Sequence, residues 1–355
     1  MAPQAERRSA VCVVGIGAKT PVGLTAHAAA AAVRAGISGF AEHPYMIDRR
    51  GEAMIVASVL DLNKVSPGAD RFLSLAVEPA REALTPLGFD RREISPVPLF
   101  LALPPQRPGR PRDLDQQIAD GLRNAVGTAP AECIATGHAG GLMALDAALH
   151  RIALGSVEFC LVGGVDSYLE VDTLEWIEEN GQLHGGDNAY GFIPGEAGCF
   201  CLLCSEKTAE RRRLGVLARV IASATSRETK LIKTDTVCVG KGLTEVFQKV
   251  LSVLPSTNDK VDYTICDMNG EPYRADEYGF TLARLSNRFV NAADIVAPAD
   301  CWGDVGAASG LLFVNLVVVS GQRDRGKARH SLLWTSSESG ERSAAILDQQ
   351  TSATN

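Results

Sequence analysis

Apolar residues in the stretch 135–166 recur first at helical and then at strand spacing. Leu142, Leu145, Ala148, Leu149 and Ile152 fall on one face of a helix that Gly155 ends. The short apolar run from Phe159 to Val162, bounded by turn residues, predicts a parallel strand covered on both faces. The turn before the helix, Ala135-Thr136-Gly137-His138, places His138 at the helix N-terminus, among unpaired N–H groups and the positive end of the dipole. The same alternation runs through the chain. Strands are predicted at Val11–Ile16, Pro96–Leu103 and Cys199–Cys204, and helices at Ala26–Ala35, Arg71–Leu84, Asp113–Val126, Glu170–Asn180 and Glu206–Arg213. Leu73, Ala76, Ala80, Ala83 and Leu84 make the inward face of the second of these helices, and Pro79 threatens its continuity. The Pro/Arg segment Leu103–Pro111 reads as a stiff surface loop.

From Leu214 the order of elements repeats. A strand at Val216–Ala224 leads to a helix at Gly242–Leu254, with Leu243, Val246, Phe247, Val250 and Leu251 on one face, and to a strand at Val261–Cys266. The echo is one of pattern, without a residue repeat. An α/β protein of two halves follows: residues 1–213, residues 214–347, and a disordered tail at 348–355.

Composition narrows the function. With 355 residues, 46% of them hydrophobic, the chain can bury a large core. A net charge of −7 gives no footprint for nucleic acid or an anionic membrane, and the triplet Arg211–Arg213 reads as a solvated helix end. No apolar run approaches the roughly 20 residues of a membrane span, and the N-terminus lacks a signal-like apolar core, so a cytoplasmic location is expected. Nine cysteines, most of them within apolar runs, read as reduced core residues. Cys199, Cys201 and Cys204 lack a second ligand pair nearby and are not taken as a metal site. Gly15-Ile16-Gly17 opens no complete dinucleotide fingerprint.

Four ordered motifs carry a family resemblance. The opening Gly15, Gly17, Pro21, Gly23, Gly36, Ser38 and Gly39, the turn–helix–strand ending at Gly163-Gly164, the string Gly191-Phe192 through Gly195-Glu196-Ala197-Gly198, and Gly303 with Ala308 and Gly310 lie in register with the β-ketoacyl synthases of the thiolase superfamily. The resemblance runs from about Val11 to Leu347 and implies a thiolase-like αβαβα five-layered sandwich of two βαβαβ halves, with chemistry at the seam between them. It also implies a dimer, with itself or with an active ketosynthase, and an acyl carrier protein or acyl-CoA as a further partner. No cofactor or metal is implied.

The family's three catalytic positions are all exchanged. Its nucleophilic cysteine falls on His138, the histidine of its second motif on Asn269, just before Gly270, and the histidine of its third motif on Asp304. The third motif's lysine is Ala299, and the C-terminal Gly-rich loop maps onto Ser337–Ser343 with one glycine left. The leading expectation is a catalytically degenerate protein that binds an acyl group, a carrier or a protein partner without Claisen condensation. A second is a thioester-directed acyltransferase, hydrolase or decarboxylase, with His138 as base, Asp304 orienting it and Asn269 donating to an oxyanion. A third is a scaffold or adaptor with a closed pocket. The helix terminus biases His138 toward its neutral form and Asp304 opposes that bias. Cys133 and Cys301 are the alternative nucleophiles, placed on a strand and on a loop, and Glu196 is expected to brace the turn rather than react.

Overall fold

The computed structural model describes residues 10–62, 67–88, 96–231, 234, 236–254, 259–323 and 329–349. The first half opens with β1 (Val11–Lys19), α1 (Ala26–Arg34), a hairpin of β2 (Phe40–Ile47) and β3 (Ala53–Ala57), and α2 (Ala69–Leu84). It continues through β4 (Leu99–Ala102), α3 (Leu114–Val126), β5 (Ala131–Ile134), α4 (Gly140–Ala153) and β6 (Phe159–Ser167). It closes with α5 (Val171–Glu179), β7 (Glu196–Ser205) and α6 (Glu206–Arg212). The second half runs β8 (Ala218–Arg227), α7 (Lys241–Leu251), β9 (Tyr263–Cys266), α8 (Pro272–Leu285) and β10 (Ile295–Val296). Then come α9 (Ala299–Trp302), α10 (Ser309–Arg323), β11 (His330–Ser336) and β12 (Glu341–Asp348).

Apart from the hairpin, the strands form one hydrogen-bonded sheet in the order β5-β4-β6-β7-β1-β8-β12-β11-β9-β10. Counted outward from the seam, each half places its first, fifth, fourth, second and third strands in the same succession. The two half-sheets are joined where Val11–Val13 of β1 pairs with Ala218–Val220 of β8. Within each half the outer pairings are parallel and the inner ones antiparallel.

Alternation along the strands builds the layers. Phe100, Cys160 and Val162 of the first half and Leu333, Ala345 and Leu347 of the second pack on one shared core with α4 and α10. Their neighbours turn the other way: Leu99, Leu101 and Leu161 meet α2 and α3, whereas Leu332, Trp334 and Ile346 meet α7. Helix, sheet, helix, sheet and helix therefore stack in five layers, with α4 and α10 in the middle. Cys199 and Cys201 face that middle layer and Cys204 the outer one, as strand alternation requires.

Helix α2 passes through Pro79 unbroken. Proline removes the N–H that would have bonded the Leu75 carbonyl. That carbonyl lies against Gly198 of β7, so close that a Cβ there would sit 2.0 Å from it. Gly15 and Gly17 of β1 give the same clearance to the carbonyls of Ala83 and Pro79. Glycine thus lets the helix backbone settle directly on the sheet. The inward face differs from the expected one: Phe72 and Leu75 are buried, while Leu73 turns toward Gly121 of α3. Two further expectations are corrected. The Pro/Arg segment is exposed at Pro105, Gln106 and Pro108 but is not wholly a surface loop, because Arg107 and Arg110 are both buried by internal partners. Asp348, expected in a disordered tail, still pairs with His330; residues 350–355 lie outside the described residues.

Candidate active site

Gly137, with φ +72°, turns the chain from β5 into a single 3-10 turn, Gly137–Ala139, that runs straight into α4. The turn is tied to the other half by Ser337, which accepts from Ala139 N at 2.9 Å and donates to the Thr136 carbonyl at 2.6 Å. Opposite stands the corresponding turn of the second half, Gly306–Ala308, leading into α10. Its Ala307 N–H donates to Asp166 of β6 at 2.9 Å. Gly306 makes this approach sterically feasible, since a Cβ there would lie 2.0 Å from the Asp166 carboxylate. Asp166 is in turn paired with Arg107 at 2.6 Å, whose guanidinium lies 4.1 Å over the Tyr168 ring.

His138, Asn269 and Asp304 converge at this seam. His138 Nε2 lies 2.8 and 2.9 Å from the two Asp304 oxygens, and Asn269 Nδ2 donates to the same carboxylate at 2.6 Å. Asp304 also accepts from the Gly306 N–H at 2.8 Å. Its backbone is fixed by a bridge to Pro194, next to the brace at Glu196. That glutamate is fully buried, accepts from Val59 N and Ser167 Oγ, and takes a two-pronged contact from Arg71. Asn269 follows the end of β9 and is turned by Gly270; its second contact is Glu271 at 3.2 Å. The Asn269 amide nitrogen thus donates to two carboxylates.

Arg274, Asp267 and Ser337 join this site although sequence reasoning passed over them. Arg274, in the first turn of α8, is fully buried, donates to Asp267 at 2.6 Å and to the Ser336 carbonyl at 2.8 Å, and comes within 3.3 Å of His138 Nε2. The available signal was local: a charged residue at each end of the turn that follows a buried strand. Burial pulls His138 toward neutrality and Arg274 disfavours its charge, but the Asp304 carboxylate outweighs both, so the imidazole pKa is raised above its ordinary value. For Asp304 burial would raise the pKa, yet His138, Arg274 and Asn269 hold the carboxyl well below the carboxylate range. Asp304 thus favours a proton on Nε2 and shifts the ring toward its charged form. It thereby opposes the bias toward a neutral ring that the helix terminus would impose.

The adjoining cavity, lined also by Cys266, Trp302, Ser309 and Phe313, has room for about one water molecule. Its thiol is inert: burial pushes Cys266 up to about 12. Cys133 packs in the outer layer with its thiol pushed up to about 11. Cys301 lies within α9, not on a loop, and is buried. Neither belongs to this cluster. Among the described residues one group offers three possible metal ligands, Glu228, Cys238 and Glu277. Backbone N–H groups already occupy Glu228, and Arg342 with Ser336 occupies Glu277.

Solved structures share this architecture. The ketosynthase from module 6 of the bacillaene synthase of Bacillus subtilis 168 superposes with a TM-score of 0.80 at 15% identity, over 98% of this chain and 73% of that one. The fold is that of the ketosynthases. Two further structures with this ketosynthase fold each match with a TM-score of 0.79 at 16% identity, over 97% of this chain and 100% of theirs. One is a type II polyketide synthase acyl-carrier protein in complex with its ketosynthase bound to the hexaketide, the other the ishigamide ketosynthase/chain length factor. A family model described as "Beta-ketoacyl synthase, N-terminal domain" matches residues 126–209, the stretch that includes the His138 turn and the Glu196 brace. No curated protein matches the chain in sequence.

Proposed function

We propose that this protein is a non-condensing, ketosynthase-like subunit whose work lies in binding a protein partner. Residues 1–213 and 214–347 are its two halves. One observation carries the reading: the place at the head of α4 holds an imidazole hydrogen-bonded to Asp304 instead of a thiol, beside a cavity the size of one water. Decarboxylative condensation needs a thiolate to hold the acyl group and donors free to meet developing negative charge. Here the donors are spent on Asp304. The small cavity favours the closed-pocket form over storage of an acyl chain, since ligand pockets run to roughly 300 Å³ and more.

The partner we favour is a second ketosynthase-like chain, identical or active, with an acyl carrier as a further component of a cytoplasmic assembly. Two features support it: the likeness to structures that contain a chain length factor or a carrier protein, and the sheet edge at β5, whose outer backbone groups pair with no strand among the described residues. No helix among the described residues is long and apolar enough to cross a membrane.

The thioester-directed alternative needs a neutral imidazole, and the pairing with Asp304 works against that form. Incubation with malonyl and acyl thioesters, comparing the wild type with His138→Ala, tests the choice. Absence of turnover and of any acyl adduct by intact mass in both proteins is expected. Turnover that disappears with His138→Ala would establish the enzyme reading instead.

A further inference from the structure

The negative charge of this protein is gathered on one module. Residues 40–62 and 168–192 carry ten Asp and Glu against two Arg, a net of −8, whereas the whole chain carries −7. The rest of the molecule is therefore close to neutral. The two segments form one body. Met54 and Val56 of β3 pack with Leu174 and Ile177 of α5 and with Leu183 and Phe192 of the following loop. Arg50 reaches Asp187 at 3.2 Å, and Arg49 N donates to Glu178 at 2.5 Å.

Apolar exposure concentrates on the same module. Of twelve large apolar side chains exposed among the described residues, five belong to these 48 residues: Tyr45 at 88%, Tyr190 at 71%, Leu60, Ile47 and Val171. Tyr45 and Ile47 project from the hairpin, and Asp172, Glu175 and Glu179 are exposed on α5. A surface that combines exposed aromatic and aliphatic groups with a strong net charge of one sign is characteristic of an interaction site.

We infer that the β2–β3 hairpin together with α5 is a docking face for a Lys/Arg-rich, partly apolar segment of a partner protein. The sign of the charge selects this occupant: nucleic acid and anionic membrane are repelled, while ammonium and guanidinium groups gain both the carboxylates and the open faces of Tyr45 and Tyr190. The face adjoins the seam, because Ala57 at the end of β3 bridges to Gly195 beside the Glu196 brace. The inference does not depend on whether His138 reacts.

The test uses the full chain and two labelled synthetic peptides, one built of Lys, Leu and Trp and the other with Glu in place of Lys, with binding read by fluorescence anisotropy. The Lys peptide is expected to bind, to weaken about tenfold or more between roughly 0.05 and 0.5 M NaCl, and to lose about tenfold on Glu175→Lys combined with Glu179→Lys. Tyr45→Ala should weaken it severalfold with unchanged salt dependence. The control, Glu245→Lys with Asp276→Lys on α7 and α8, should leave it within twofold. Equal binding of the two peptides, no binding of the Lys peptide, or equal losses in the α5 and control variants overturns the inference. Unchanged circular dichroism and melting of each variant show that the surface alone was altered.

Discussion

Replacing Asp304 by asparagine keeps the side chain's size and removes its charge. In the wild type that carboxylate meets His138 through both oxygens, accepts from Asn269 at 2.6 Å and Gly306 N at 2.8 Å, and lies close enough to Arg274 to be lowered by it. Removing one partner of a buried ion pair costs about 3–5 kcal/mol. Asparagine can still accept from Gly306, and His138 can release its proton near neutral pH, so the lower end, about 3 kcal/mol, is expected. For a chain of this size that corresponds to a drop in Tm of about 4 °C. Equilibrium urea denaturation measures the free energy directly, with exposed Asp172→Asn as a control expected to stay within about 0.5 kcal/mol. A cycle with His138→Gln should return a coupling of about 1–3 kcal/mol between the two positions. A loss below about 1 kcal/mol for Asp304→Asn, or additive losses in the cycle, would refute the buried ion pair.

Other outcomes follow from the same geometry. A His138 pKa raised above about 6.5 and an Asp304 pKa depressed below about 3.9 mean that the pair contributes fully between those values. Stability should therefore fall as pH climbs past 6.5 through the raised imidazole pKa, a slope that His138→Gln removes in chemical denaturation across pH. Gly198→Ala forces a methyl to 2.0 Å from the Leu75 carbonyl and should cost about 1–3 kcal/mol or more, whereas Gly215→Ala, with nothing within 4 Å, should leave the denaturation midpoint unchanged. Arg107→Met leaves fully buried Asp166 without its cation and should cost about 3–5 kcal/mol, measured the same way.

Hydrophobic spacing made the fold readable because it is set residue by residue. The faces of α4 and α7, the strands at β6 and β7 and the repeated order of elements all follow from periods of 2 and 3.6. Boundaries moved where tertiary contacts decide: β7 extends back to Glu196 because that strand is covered along its length, and α2 runs through Pro79 with the freed Leu75 carbonyl set against Gly198. The hairpin β2–β3 has no clean alternation, and Pro44 interrupts what there is. At the site, the motif register singled out His138, Asn269 and Asp304, which the fold brings together on backbone turns that carry glycines at 137, 270 and 303. Their protonation was not legible. Burial and Asp304 dominate it, and Arg274 and Asp267 adjust it through the turn between β9 and α8; sequence separation does not show that Arg274 comes within 3.3 Å of an imidazole 136 residues away.

The most direct test is the charge on the His138 ring. Nitrogen-15 NMR of histidine-labelled protein, assigned with His138→Gln, should show the ring titrating above the ordinary imidazole value, with its Nε2 proton held on the Asp304 side. A ring that titrates at or below the ordinary value would contradict the ion pair and restore His138 as a base.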